Sequence, residues 1–523
     1  MVLLAFDLGT TGCKASAFSI GGRLLSTAYH PYATFFPKPG HAVQRPESWL
    51  SAILGLSKQL IEALPVDADD ISCISLSGHM NGCVPVDRSG QPLVEETMLW
   101  ADERAKALAR DLVTGIGWPN FYEATGAGLD TWLYPAAKIA WIKSHEPALY
   151  KSTFQFVGTK DVIGAWLTGN VATDYSDASN TGLMNIRSLK WDSDLCSAFG
   201  VDREKLPNIL RSTDVLGPLR REQAQLLGLR EGIPVVVGAG DVACASAGAG
   251  SIAEGTPYAC LGSAVWVSQS RIEPLLDPAI RAVNICHVIP GLYATQLISY
   301  TAGIAYKWLR DQILGSPAVC NQDTALSYKK MDQLAASVPA GSGGVIFVPS
   351  LRPGGAPYYD PETRGAFLGL NLTTTAAHLL RAVLEGVAMN IHQLFQQLTP
   401  TAQSVPHLRL IGGGAEGALW PQIIADVLGT EVHTLTAMQE ANTVGAALAG
   451  GVGIGALSSF DEVARFTDVA QRFFPSDDQS IYKDASEVFS HCYGGLRQTN
   501  AVAASLAALS AESNSGQSQE NMS

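Results

Sequence analysis

The chain has 523 residues, of which 47% are hydrophobic and 16% are charged, and its formal net charge is −13. This length exceeds what one hydrophobic core usually organises, so we expect two domains of about 200–250 residues each. The acidic balance argues against nucleic acid or an anionic membrane surface as the main partner. An acidic protein that binds phosphate groups must do so through local backbone donors, lysine and a metal ion.

The nine cysteines are scattered, and no C-x-x-C pair occurs among them. This spacing indicates neither a zinc site nor a redox pair, and we interpret the cysteines as small core residues in a reducing compartment. The first apolar run breaks at Asp7 without a preceding basic segment, and no uniformly apolar stretch is long enough to span a bilayer. We therefore predict a cytoplasmic protein without a signal peptide or membrane span.

Strand and helix patterns are mixed along the chain and predict an α/β protein. In the first half, apolar or alternating runs bounded by turn residues predict strands at 2–6, 14–20, 23–29, 71–77, 84–86 and 235–238. Helical patterns there predict helices at 46–64, 133–145 and 159–167. In the second half we predict strands at 256–262, 264–269 and 408–411, and helices at 302–313, 374–398, 418–428 and 442–450.

Two further stretches stand out by composition. Residues 243–250 are rich in alanine and glycine and predict a hinge or domain boundary. Residues after about 500 contain no aromatic side chain and are rich in Ala, Ser, Asn and Gln, which predicts a disordered tail.

The turn after the first strand, residues 7–14 with the sequence DLGTTGCK, is the most informative motif. Small residues let backbone N–H groups approach phosphate oxygens, and a carboxylate beside them can hold hydrated Mg²⁺. We predict that Thr10 and Thr11 donate to phosphate oxygens, that Lys14 supplies positive charge and that Asp7 holds Mg²⁺ through water. The alternative interpretation is a hairpin in which Gly and Thr only form the turn.

A second aspartate, Asp241, follows the apolar strand and glycine-rich turn at 235–240. We predict that it faces an acceptor hydroxyl as the general base. Phosphoryl transfer passes through a loose transition state, so orientation and late proton acceptance suffice even for a weak base. The alternative is that Asp241 only caps the helix that begins near Ala243.

Three other motifs carry polar or flexible groups. Residues 412–415, GGGA, lie between a predicted strand and a predicted helix, and either allow tight packing or present backbone to a nucleotide. Their spacing does not fit a P-loop. Residues 77–82 and 100–104 hold the hydroxyl, imidazole, amide, carboxylate and guanidinium groups that a polyol needs, although both also suit ordinary loop ends with Trp100 in the core.

Together these residues resemble the FGGY family of carbohydrate kinases, within the actin, heat-shock ATPase and sugar-kinase superfamily, from residue 1 to about 454. One family signature is complete, at 365–370, 378–379 and 382–385. A second matches at Pro135, Lys138, Trp141 and Ile142, whereas Leu133 and Ser144 depart from it. Within the family, residues 158–161, 167–169 and 173–179 are most similar to the xylulose-phosphorylating branch.

The resemblance implies two RNase H-like domains flanking a nucleotide cleft, at 1–246 and 247–455, followed by a helical extension at 456–499 and the tail at 500–523. It implies ATP- and Mg²⁺-dependent phosphorylation of a sugar hydroxyl, with D-xylulose as the expected substrate and D-xylulose 5-phosphate as product. Gluconate, ribulose, L-xylulose, glycerol and erythritol are alternatives, as is an ATPase switch or sugar sensor on the same fold. The partners are then a small sugar and ATP, and a homodimer is left open.

The resemblance also assigns site residues. Asp241 and Asp7 are the expected catalytic residues, with Asp7 also the metal ligand. The sugar is expected to contact His79, Met80, Asn81, Trp100, Asp102 and Asp241. The nucleotide and its phosphates are expected at Thr10, Thr11, Lys14, Gly262, Ser263, Gly303, Lys307, Gly413 and Gly414.

Two departures from the family fall in the sugar pocket. The chain reads His79-Met80-Asn81-Gly82 where the xylulose branch usually has Gln-Met-His-Gly. It reads Trp-Ala-Asp at 100–102 where Trp-Asn-Asp is common. Both departures bear on which sugar binds and leave the expected phosphoryl chemistry unchanged.

Overall fold

The computed structural model describes residues 1–315, 326–399 and 407–520. The chain divides into two compact units, neither of which is continuous in sequence. The first comprises Met1–Pro257, Ser268–Gln296 and Thr436–Asp468, and the second comprises Tyr258–Val267, Leu297–Leu435 and Val469–Ser523. These units therefore do not follow the contiguous boundaries predicted at 246 and 455, because a late segment of the chain packs onto the first sheet.

The first unit contains most of the elements. Its strands are Val2–Leu8, Gly12–Ser19, Leu24–Pro31, Val43–Gln44, Ile71–Gly78, Val84–Val86, Thr97–Met98, Gln155–Val157, Thr173–Asp174, Met184–Asn185, Lys190–Trp191, Ile209–Leu210, Val215–Pro218, Pro234–Gly240 and Val283–Cys286. Its α-helices are Pro46–Ala63, Lys106–Ile116, Trp118–Thr125, Pro135–His145, Pro147–Ser152, Thr159–Thr168, Tyr175–Ser179, Ser193–Ala198, Arg221–Leu227, Asp241–Gly248 and Ala441–Gly453. Short 3₁₀ turns are Ala68–Asp70, Thr131–Leu133, Arg203–Lys205 and Phe460–Arg465.

The second unit has fewer and longer elements. Its strands are Pro257–Leu261, Ile346–Val348, Ala366–Leu368, His407–Ile411, Glu431–Leu435 and Val469–Phe473, and the strands Val265–Arg271 and Tyr293–Ser299 each have residues in both units. Its α-helices are Gly303–Trp308, Tyr328–Ala336, Ala376–Leu398, Leu419–Leu428 and Gln479–Glu520. A π-helical stretch is Leu309–Leu314, and 3₁₀ turns are Ser342–Gly344 and Gly413–Ala415.

A six-stranded sheet organises the first unit. Its centre is three parallel strands in the order Pro234–Gly240, Ile71–Gly78, Val2–Leu8. Antiparallel strands flank them, Val215–Pro218 on one side and Gly12–Ser19 with Leu24–Pro31 on the other. Parallel strands are buried on both faces, which explains their nearly continuous apolar sequences. The carboxyl ends of the three central strands consequently meet at one edge of the sheet.

Each face of this sheet is covered by helices. On one face Pro46–Ala63 buries Trp49 and Ile53 against Leu4 and Phe6. On the other face Asp241–Gly248 and Ala441–Gly453 contribute Ala243, Val444 and Leu448 to a cluster with Leu3 and Ala239. Both faces of the sheet are therefore covered by apolar side chains, as the apolar runs of the strands predict.

The two helices on the second face approach each other through glycine. A methyl group built on Gly445 would overlap the Cys244 carbonyl oxygen, and one built on Gly248 would overlap the Ala441 carbonyl oxygen. Residues 243–250, for which the composition predicted a hinge, thus lie mostly in a buried helix. Their small side chains serve close packing of two backbones.

The second unit has a parallel core of its own. Pro257–Leu261 pairs with His407–Ile411, which pairs with Glu431–Leu435, and Val469–Phe473 adds an antiparallel strand. Two of the parallel strands end in glycine turns, as the sequence predicts. Leu419–Leu428 begins shortly after the turn at 412–415, so the predicted strand, turn and helix are present in that order.

The last helix, Gln479–Glu520, runs through residues 500–520, for which the composition predicted a disordered tail. Alanine is frequent there and is the most favourable helix former, which agrees with a helical backbone. None of the helices in the described parts of the chain is long and apolar enough to cross a membrane.

Glycine packing between the two helices should be measurable. We expect Gly445→Ala to destabilise the first unit by about 3 kcal/mol, because the added methyl group meets a backbone carbonyl that no rotamer change can move. The matched control is Gly55→Ala in Pro46–Ala63, where nothing described lies within 4 Å of the new methyl group. This control should stabilise by about 0.5–1 kcal/mol. Urea unfolding measures both variants, and equal effects would contradict the packing argument.

Candidate functional site

The strand register of the first sheet brings the two aspartates of the predicted site to one edge. Asp7 stands opposite Ser77 in the parallel pair, and Ser77 stands opposite Ala239 in the next pair. Asp241 follows Ala239 by two residues and begins the helix Asp241–Gly248, with Gly240 as its N-cap. The side chains at this edge therefore come from three neighbouring strand ends.

Asp7 is held by two neutral donors. Ser77 Oγ donates to Asp7 Oδ1 at 2.7 Å, and Asn442 Nδ2 donates to Asp7 Oδ2 at 3.1 Å. Burial raises the pKa of Asp7, while these two hydrogen bonds and the charge of Lys14 act in the opposite direction. The carboxylate is thus fixed in orientation with support for its ionised form.

Asp241 has a different environment. The N–H of Val242 donates to its Oδ1 at 2.8 Å. Burial first, and then the charge of Asp7, raise the pKa of Asp241 from 3.8 to about 7. A pair of carboxylates whose surroundings separate their pKa values is the arrangement in which one holds charge and the other exchanges a proton.

The turn that follows Asp7 is held in place by hydrogen bonds to its backbone carbonyl oxygens. Three side chains donate to them, in the pairs Tyr32 Oη to Gly9 O (2.6 Å), Gln44 Nε2 to Thr10 O (2.6 Å) and Tyr29 Oη to Thr11 O (2.9 Å). Because these oxygens are engaged by the protein, the turn presents less negative partial charge to an anion. The phosphate role of Thr10 and Thr11 stays a prediction, and the reduced negative partial charge of the turn would favour it.

Lys14 lies opposite Asp7 in the antiparallel pair of the first two strands. Its Nζ donates to the Gln439 carbonyl at 2.5 Å and lies 3.6 Å from Glu440 Oε1. The ammonium group is therefore next to the Asp7 turn, but its present partners belong to the loop before Ala441–Gly453. Its predicted phosphate contact requires exchange of these partners.

His79, an expected sugar contact, packs against core residues in the structure. Its ring is 3% exposed, lies 3.1 Å from Thr159 Oγ1 through Nε2 and meets Trp49 edge-on. Burial lowers the pKa of His79 to about 4, so the ring is neutral. The side chain packs into the core, and its contact with a sugar stays a prediction.

The next two residues, Met80 and Asn81, lie in different surroundings. Met80 packs against Gly240, where an added methyl group would lie 2.6 Å from its sulfur. Asn81 adopts a left-handed backbone conformation with φ of 63°, which asparagine tolerates better than most residues. Its Oδ1 is buried and accepts no hydrogen bond from any described residue. Such an oxygen is available to a ligand hydroxyl.

The residues of the tryptophan motif separate into two roles. Trp100 is 39% exposed, not a core residue, and its Nε1 donates to Thr10 Oγ1 at 3.2 Å. Asp102 is fully buried, and its two oxygens accept from the Ala42 N–H at 2.9 Å and from two nitrogens of the Arg104 guanidinium at 2.8 Å each. These partners hold the loop together, and the sugar contact of Asp102 stays a prediction.

The second unit holds the residues predicted for the nucleotide. The N–H of Gly303 donates to Gly262 O at 3.0 Å, and the N–H of Ile304 donates to Ser263 O at 3.1 Å. A methyl group on Gly303 would lie 2.6 Å from Gly262 O, so the helix start and this turn need glycine to meet. Ser263 itself is exposed.

The glycine turn at 412–414 lies beside this turn, because Cys260 stands opposite Ile411 in the parallel pair. A methyl group on Gly414 would lie 2.5 Å from Leu261 Cγ, whereas the space above Gly413 is open in the described structure. Glycine therefore serves packing at Gly414 and leaves an open backbone surface at Gly413.

Lys307, also predicted for the nucleotide, has its ion pair elsewhere. Its ammonium group pairs with Asp311 on an exposed helix surface.

Two residues at the Asp7 carboxylate were missed by sequence reasoning. Ser77 lies inside a motif that the sequence singles out, but its role depends on the register of Ile71–Gly78 with Val2–Leu8. Asn442 lies at the start of a small-residue helix and carries no local signal. An alignment of relatives would be the natural way to find it.

Comparison with known proteins gives the family. The N-terminal domain of the FGGY family of carbohydrate kinases matches residues 2–248, and the C-terminal domain of the same family matches residues 270–454. The chain belongs to the FGGY family of carbohydrate kinases, which confirms the resemblance and makes it a sugar kinase that uses ATP.

Individual relatives differ in the substrate that they are named for. The chain is 27% identical over 500 residues to xylulose kinase of Bacillus subtilis, covering 95% of this chain and 98% of that protein. It is 30% identical over 489 residues to glycerol kinase of Myxococcus xanthus, covering 90% and 95%. The fold matches the crystal structure of gluconate kinase from Lactobacillus acidophilus with a TM-score of 0.86 at 23% identity, covering 95% and 98%.

The raised pKa of Asp241 predicts the pH dependence of the reaction. If Asp241 accepts the proton, kcat/KM should rise about tenfold per pH unit up to about pH 7 and level off above it. An aspartate of ordinary pKa would give a flat profile above about pH 5. A stopped assay of ADP formation from pH 5 to 9 measures this profile without coupling enzymes, and flatness across the range would contradict the assignment.

The same shift predicts an effect on stability. Because the pKa of Asp241 is higher in the folded chain than in the unfolded one, its ionisation opposes folding above pH 4, and fully above pH 7. Asp241→Asn should therefore raise Tm by about 2–4 °C at pH 8, with a smaller gain near pH 4. Asp87→Asn is the control of opposite sign, since hydrogen bonds from Ser89 lower the pKa of Asp87. A gain for Asp87→Asn, or none for Asp241→Asn, would contradict the electrostatic argument.

Proposed function

We propose that the chain transfers the γ-phosphoryl group of ATP to a hydroxyl of a ketopentose, with D-xylulose as substrate and D-xylulose 5-phosphate as product. The observation that carries the reaction type is the Asp7 and Asp241 pair at neighbouring strand ends. The observations that support the sugar are the motifs at 158–161, 167–169 and 173–179 and the likeness to proteins named xylulose kinase.

Asp241 acts as the general base in this proposal. It lies at the start of a helix and at the end of a buried strand, so its position is set by two rigid elements. A pKa of about 7 lets it accept a proton from the acceptor hydroxyl as the new P–O bond forms. The proton moves late, since the phosphoryl group is largely detached from ADP before the hydroxyl attacks.

Asp7 and the turn after it bind the phosphates and Mg²⁺ in this proposal. The carboxylate has a fixed orientation and an oxygen-only donor chemistry that suits hydrated Mg²⁺. When bound, Mg²⁺ would neutralise charge on the transferring phosphates. Thr10, Thr11 and Lys14 supply the remaining donors, and the second-unit turns at 262–263 and 412–414, with Gly303, bind the nucleotide.

Asn81 is the proposed specificity residue for the sugar. Its amide stands where the xylulose branch usually has an imidazole, and its buried Oδ1 can accept from a sugar hydroxyl. An amide oxygen accepts where a protonated imidazole would donate, so the hydroxyl pattern that it prefers differs. The substrate panel therefore includes the alternative substrates gluconate, ribulose, L-xylulose, glycerol and erythritol.

A substrate panel tests the proposal. ADP release with Mg²⁺–ATP is measured with D-xylulose, L-xylulose, D-ribulose, L-ribulose, gluconate, glycerol and erythritol. We expect D-xylulose to give the highest kcat/KM, and ³¹P–¹³C coupling in the product to place the phosphate on carbon 5. Asp241→Asn should lower sugar-dependent turnover by about 10²–10⁴-fold without weakening ATP binding.

The outcomes separate the parts of the proposal. A higher kcat/KM for another sugar would contradict the assignment of D-xylulose as substrate and would make Asn81 the first residue to vary. Near-normal turnover of Asp241→Asn would overturn the base. Steady ATP hydrolysis that no sugar stimulates would favour a switch or sensor on this fold.

A further inference from the structure

A buried cluster of charges lies next to the Asp241 turn. Lys160 Nζ is 2.6 Å from Asp161 Oδ1, 3.0 Å from Asp174 Oδ1 and 3.1 Å from Asp177 Oδ2. Burial disfavours the charge on Lys160, but the three carboxylates outweigh it and raise its pKa well above the ordinary value. Apolar groups of the same volume often stabilise a fold as well as buried ion pairs do. We therefore look for the explanation of the cluster in the residues whose positions it fixes, and not in added stability.

Asp174 is the centre of this cluster. Its side chain is fully buried, and its Oδ1 faces Lys160. Its Oδ2 accepts from Ser176 Oγ at 2.7 Å, from the Ser176 N–H at 2.9 Å and from Ser212 Oγ at 2.9 Å. One carboxylate thus fixes two serines on separate segments, and Lys160 is its counter-ion.

Both serines accept hydrogen bonds from the strand Pro234–Gly240, which directly precedes Asp241. Ser176 Oγ accepts from the Gly240 N–H at 2.8 Å, and the Ser212 carbonyl accepts from the Gly238 N–H at 3.0 Å. These contacts fall where the strand Pro234–Gly240 shifts register, and Gly238 has a left-handed φ of 71°. A bulge of this kind redirects the residue that follows it, and here the two serines accept from the N–H groups of Gly238 and Gly240.

We propose that Asp174, Ser176 and Ser212, with Lys160 as counter-ion, are positioning residues for the reaction, because they fix the bulged strand end from which Asp241 meets the acceptor hydroxyl. The inference rests on the proposed role of Asp241 as base. None of these residues touches the substrate in this scheme. Their effect is on alignment, for which a displacement of about 1 Å can cost 10²-fold in rate.

Helix capping alone does not account for the arrangement. Asp174 is the N-cap of Tyr175–Ser179 through its contacts with backbone N–H groups. That function would not require the Ser176 hydroxyl, which donates to Asp174 and accepts from Gly240. A variant that removes only this hydroxyl therefore separates positioning from capping.

The test compares two serines on the same short helix. Ser176→Ala removes the acceptor for the Gly240 N–H. Ser179→Ala removes an equally buried hydroxyl whose partners are the Ser176 carbonyl and the Cys286 N–H. We expect Ser176→Ala to lower kcat by about 10–100-fold while KM for sugar and ATP changes less than about threefold. Ser179→Ala should keep kcat within about threefold at a similar loss of Tm, and Ser176→Thr should restore most of the rate.

The outcomes are distinguishable from failure of the base assignment, because Asp241→Asn is measured alongside. Equal kcat for Ser176→Ala and Ser179→Ala, with Asp241→Asn inactive, would overturn the positioning role alone. A parallel rise in KM without a fall in kcat would also overturn it. Near-normal turnover of Asp241→Asn would overturn the base on which the inference rests.

Discussion

Lateral hydrogen bonding between three parallel strands is the constraint on which the proposed chemistry depends. The pairing of Val2–Leu8 with Ile71–Gly78, and of Ile71–Gly78 with Pro234–Gly240, brings two aspartates from distant parts of the chain to one edge. Burial and then the charge of Asp7 raise the pKa of Asp241. Asp7 is supplied with side-chain donors and Asp241 is not, and the proposed function uses this difference to make the first an ion holder and the second a proton acceptor.

Much of this arrangement could be predicted from local signals. Apolar runs that end in glycine turns located the central strands and both aspartates, and the strands and helices in the described ranges largely match their predicted positions. Ser77, Asn442 and Asp174 could not be assigned roles in this way, because their partners are fixed by strand register and by packing between segments far apart in sequence. Residue type also does not say which way a loop side chain points, so the core packing of His79 and the ion pair of Asp102 with Arg104 could not be predicted from the sequence.

Stretches rich in small residues were the hardest part of the sequence to interpret. Alanine and glycine at 243–250 predicted a hinge or domain boundary. In the structure the small residues there and at 442–450 let two helix backbones touch on one face of the sheet, at Gly248 and Gly445. Close backbone approach and flexibility both favour glycine, and only the surrounding packing distinguishes them.

The interleaved path of the first unit has a consequence for synthesis. The helix Ala441–Gly453, which covers Leu3 and Ala239, follows most of the second unit in the chain. During translation the first sheet therefore emerges long before its cover, with an apolar face open to solvent. Such a nascent chain is a natural client for chaperones, and slow translation over the second unit would lengthen the period of exposure.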